Sequence, residues 1–139
     1  MGLSAGIRCD CNRLEWKAPC PHDGGLLFRR ELCSAREQGA IENLLAKLPT
    51  GAPGLSLLRR RVLGQQPIAV EDLGRLRAEV DALRGFLETN PSFDLPREDA
   101  AQRYLLVNEG RPALERFATL LRGIVTEALE KRRAIEFSA

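Results

Sequence analysis

Apolar residues recur at helical spacing through most of the chain, but only after residue 33. The clearest run is Val70, Leu73, Leu76, Val80, Leu83 and Leu87, three or four residues apart with charges between them, which predicts an amphipathic helix over 70–88. Ile41, Leu44, Leu45 and Leu48 mark the inner face of an earlier helix over 35–48. It is opened by Ser34-Ala35-Arg36-Glu37, in which the Ser oxygen can accept the Glu37 amide while the Glu carboxylate reaches back. Pro49 to Gly54 stops that helix, and Leu55, Leu58, Val62 and Leu63 predict a short one over 55–63 that ends before Gly64.

Asn90-Pro91 closes the long helix. Ala101, Tyr104 and Leu105 then suggest a helix over 97–107, ended by Gly110. Pro112 suits the first turn of a last helix over 112–134, with Leu114, Phe117, Leu121, Ile124, Ala128 and Ile135 on its inner face. The expected fold is mainly α, a compact bundle of about five helices in a single domain, with residues 34–139 forming the helical body.

Residues 1–33 have a different character. Gly, Pro and Cys are frequent, Pro19 and Pro21 exclude a helix, and the reading is an irregular segment packed on the bundle. A short β ribbon is expected within it, pairing a strand over 26–32 with the stretch Gly6-Ile7-Arg8-Cys9. In that strand Leu26, Phe28 and Arg30 share one face, and Leu27, Arg29 and Glu31 the other.

Composition narrows the function classes. At 139 residues with 44% apolar side chains the chain can bury a core without disulfides. Twenty-one Lys and Arg against nineteen Asp and Glu give a net charge of +2, too even for general binding to a phosphate backbone. A helix-turn-helix reading of 55–88 is further opposed by Glu71, Asp72, Glu79 and Asp81 on its second helix, so a DNA-binding regulator is the weakest alternative. No signal peptide or membrane-spanning run is read, and the expected location is the cytoplasm, with no membrane partner.

The one constellation suited to chemistry is Cys9-Asp10-Cys11, Cys20-Pro21-His22 and Cys33, which places all four cysteines and the lone histidine in the first quarter of the chain. Zinc takes four such ligands. Extended Cys9-x-Cys11 and Cys20-x-His22 pairs would each point to one side, so four of Cys9, Cys11, Cys20, His22 and Cys33 are candidate metal ligands and zinc is the candidate ion. The spacing is shorter than that of common structural zinc sites, and the same residues also read as small apolar fillers or as redox thiols. With one histidine, no Ser/His/Asp pattern and no Glu-x-x-His pair, hydrolytic and di-iron chemistries have little to use.

For recognition, Arg59-Arg60-Arg61 is the densest basic run, read either as a contact for an acidic partner or as a solvated face near Glu71 and Asp72. Trp16, the only tryptophan, is either an interface anchor or the residue that docks the irregular segment. The leading functional expectation is a non-enzymatic protein-binding module, such as an accessory subunit, adaptor or neutralising (immunity- or antitoxin-like) protein. A zinc-stabilised or thiol-redox regulator is the alternative.

Overall fold

A computed structural model describes residues 2–8, 26–46, 54–89 and 111–138. The chain is mostly helical and carries a small antiparallel sheet. Its elements are strand β1 (Leu3–Arg8), strand β2 (Leu26–Cys33), helix α1 (Ala35–Ala46), a π-helical turn (Leu58–Val62), a 3-10 turn (Val70–Asp72) running into helix α2 (Leu73–Thr89), helix α3 (Arg111–Lys131) and strand β3 (Ile135–Ser138). Four helical segments stand among the described residues where five are expected; the helix read over 97–107 lies outside them.

α3 is the hub. Ala113, Leu114, Phe117, Ala118, Leu121, Ile124, Val125 and Ala128 are all buried along it, wide enough a stripe to meet α2, α1 and the sheet. α2 answers with Leu73, Leu76, Val80, Leu83 and Leu87, the face expected from the sequence, except that Val70 is 41% exposed. Val70 sits in the 3-10 turn, where three residues per turn rotate it away from the stripe. Among the described residues no polar or charged side chain is buried, and no helix is long and apolar enough to cross a membrane.

The N-terminal ribbon forms, and it is more regular than expected. Gly6 pairs with Arg29 and Ile7 with Phe28, in the anticipated pairing, and the two strands continue to Leu3 and Cys33. The register shifts between Leu3 and Ser4, so Leu32 and Cys33 both stand against Leu3 in a β-bulge. Two consecutive residues of one strand therefore reach the core, with Leu32 2% and Cys33 4% exposed. Gly2 lies so close to this corner that a Cβ there would run into the Cys33 carbonyl and the Ser34 Cα.

The third strand was not anticipated, and the last helix stops at Lys131 rather than at 134. Arg132 adopts a left-handed φ of 53°, its N–H donates to Leu129 O at 3.3 Å, and Arg133 N–H donates to Ala128 O at 3.0 Å. These two bonds make a Schellman terminus, a motif that usually announces itself with glycine. The chain then turns back, and β3 pairs with β1 through Ile7–Ile135, Gly6–Glu136, Ala5–Phe137 and Ser4–Ser138. Ile135 is buried as expected, but on a strand that lies beside β1, not on the helix. The strand order is β2-β1-β3, so chain beginning and chain end share one sheet.

Candidate functional site

Among the described residues, a surface feature built by several elements lies where α1 meets the π-helical turn. A helix leaves its last four carbonyls without intrahelical donors. At the end of α1, Arg59 supplies one: its Nη2 donates to Leu45 O at 2.7 Å. The backbone turn that carries Arg59 is itself held from α2. Glu79 accepts Leu57 N–H at 3.0 and 3.2 Å on its two oxygens, and Leu58 N–H at 3.2 Å. A carboxylate thus caps the N-terminus of a helical turn more than twenty residues away in sequence, with the favourable dipole sense. Arg75, one turn before Glu79, adds a hydrogen bond from Nη2 to Ser56 Oγ at 2.9 Å.

The far end of the turn repeats the α3 terminus. Gln65 is left-handed at φ 57°, its N–H donates to Val62 O at 3.1 Å, and Gln66 N–H donates to Arg61 O at 2.8 Å. Gly64 precedes the left-handed residue; it is needed because a Cβ there would strike the Arg60 carbonyl. Leu63 N–H donates to Leu58 O at 3.0 Å, the five-residue step of a π turn, a geometry often met at functional sites.

Between these elements is an open cavity of roughly 300 Å³ lined by Glu42, Leu45, Ala46, Arg59, Leu63 and Gly64. Its floor is apolar, and one acid and one base stand in its walls. The three arginines of the basic run therefore differ in role. Arg59 is committed to the α1 terminus, whereas Arg60 and Arg61 are exposed and form no ion pair with Glu71, Asp72 or any other described residue.

Of the Cys/His cluster, only Cys33 is described. It is a free thiol packed into the core at the bulge, and burial, the largest influence on it, pushes its pKa up, against a lowering from the Leu3 backbone hydrogen bond. Cys9, Cys11, Cys20 and His22, together with Trp16, lie outside the described residues. Among the described residues no group of three or more His, Cys, Asp or Glu is placed to hold a metal. A four-ligand ion that leaves Cys33 in its core position would draw on the other four.

Sequence reasoning missed Glu79, which reads there as one acid of a charged helix face, four residues after Arg75. That local pattern hides its long-range role, since Arg75 Nε stands 3.9 Å from Glu79 and most of the carboxylate's bonding goes to Leu57 and Leu58. No family model, curated protein or solved structure matches the chain.

Proposed function

We propose that this chain is a non-enzymatic protein-binding module of the cytoplasm, an accessory subunit, adaptor or neutralising protein that takes an acidic segment of a partner protein. The observation that carries the reading is the groove between α1 and the π-helical turn, with Leu45, Ala46 and Leu63 in its lining and, on the turn that walls it, Arg60 and Arg61, which form no ion pair among the described residues. An apolar lining with Arg60 and Arg61 next to it in the turn suits a small hydrophobic side chain flanked by carboxylates, with Glu42 as the one acid in the wall. The wall is built rigidly, by the Glu79 cap below and the Arg59 bond to α1, so little order has to be imposed on binding.

The test is affinity purification from the native cells at low salt, comparing the unaltered chain with a variant carrying Arg60→Glu and Arg61→Glu. A protein recovered in stoichiometric amount with the unaltered chain and lost with the variant is expected. A chain recovered alone, or a partner held equally by both, contradicts the reading.

A further inference from the structure

We infer that the outer edge of β2, which pairs with no strand among the described residues, pairs with the same edge of a second copy of this chain, giving a two-fold dimer with a continuous sheet. The backbone directions come first. Ile68 N–H donates to Ile135 O at 2.9 Å and Ile135 N–H donates to Ile68 O at 3.1 Å, so the Ile135 backbone faces away from β1. By antiparallel alternation Glu136 and Ser138 then bond to Gly6 and Ser4, and the Ala5 and Ile7 backbones turn the other way, to Arg30 and Phe28. It follows that Arg29 and Glu31 present their N–H and C=O groups to the outer edge of β2. Ile68 covers part of the β3 edge, whereas no described segment pairs with the β2 edge.

The side chains at that edge select the occupant. Arg29 and Glu31 are both exposed, lie on the same face of the sheet, and neither makes an ion pair or side-chain hydrogen bond among the described residues. A second β2, antiparallel and centred on Arg30, sets each Arg29 opposite Glu31 of the second copy. That register joins the two residues whose backbones face outward, so hydrogen-bond direction and charge agree. The Arg30-centred register sets two Arg29–Glu31 pairs against one like pair, Arg30 with its own copy, whereas centring on Arg29 or on Glu31 leaves a like pair and no opposite one, and a shift by a single residue in the pairing opposes inward and outward backbones. Arg30 meets its own copy on the opposite face, where its guanidinium lies over Gly123 of α3. An isologous edge pair of this kind closes on itself and consumes an edge that otherwise invites open-ended association.

Sedimentation equilibrium of the full chain tests the assignment, with circular dichroism of each variant to verify the fold. The unaltered chain is expected to be dimeric at micromolar concentration. Arg29→Glu and Glu31→Arg should each weaken the dimer by about tenfold or more, since each leaves two like-charge oppositions. The double reversal restores opposite charges and should restore the dimer. Arg29→Pro removes the outward N–H together with the Arg29 charge and should also give a monomer. A monomeric unaltered chain at millimolar concentration, a dimer indifferent to both single reversals, or a double reversal no tighter than the singles overturns the proposal.

Discussion

The Glu79 carboxylate on α2 receives the Leu57 N–H on both of its oxygens, at 3.0 and 3.2 Å, and so holds the start of the turn that walls the groove beside α1. Leu57 opens the turn with no side-chain cap of its own, and Leu55, two residues earlier, has a positive φ of 39°. Glu79→Ala leaves two amide groups unsatisfied at a partly buried site. It should lower unfolding free energy by about 1–3 kcal/mol in urea titration. Glu79→Gln keeps one acceptor oxygen and should lose less; equal losses would assign the effect to packing and not to the cap.

The Ser34–Glu37 capping box ties stability to pH. Ser34 N–H donates to Glu37 Oε1 at 3.0 Å and Glu37 N–H donates to Ser34 Oγ at 3.1 Å. The Ser34 backbone bond, ahead of the Ser34 hydroxyl and Arg116, holds the Glu37 carboxyl below its ordinary value. A depressed acid stabilises the fold above its unfolded pKa, about 4.3, and that contribution is lost as pH falls through the lower folded value. Chemical denaturation at neutral and acid pH should therefore show Glu37→Gln costing stability at pH 7 and progressively less toward pH 3. Ser34→Ala should cost about 1 kcal/mol.

How far the sequence disclosed these features depended on their range. The capping box is complete within four residues, and the inner face of α2 is set by helical period alone, so both were readable. The end of α3 was not, because Arg132 takes the left-handed position with neither glycine nor proline to mark it. The following Ile135-Glu136-Phe137-Ser138 alternates apolar and polar, but four residues after a long helix carry too little periodicity to announce a strand, and its reason for forming is β1, more than a hundred residues earlier. The three adjacent arginines looked equivalent; only the approach of Leu45 O separates Arg59 from its neighbours. Cys33 likewise counted with the other cysteines until the bulge put it into the core.

Arg132 provides a test of the helix terminus. With the left-handed conformation required and the side chain exposed, Arg132→Gly should raise unfolding free energy by about 0.5–1 kcal/mol, measured by thermal or urea melting. Destabilisation instead would mean that the Schellman bonds at Arg132 and Arg133 do not define the end of α3.

Cys33 should behave as a core thiol. Its reaction with a soluble disulfide reagent should be slow in the native chain and fast once denaturant is added. Because burial raises its pKa, the neutral thiol's contribution is present below the unfolded pKa, about 8.5, and declines as pH rises above it toward the folded value. Cys33→Ser should weaken the fold through a buried hydroxyl, more than Cys33→Ala does. Fast native labelling at position 33 would contradict the burial.

The groove is the centre of the functional account, and hydrogen exchange tests it most directly. The chain is purified with its partner and compared with the free chain, following backbone amides by mass spectrometry. Slowed exchange concentrated at the end of α1 and across residues 57–66 is the predicted result. Protection confined to other surfaces, with these two segments exchanging as in the free chain, would contradict it.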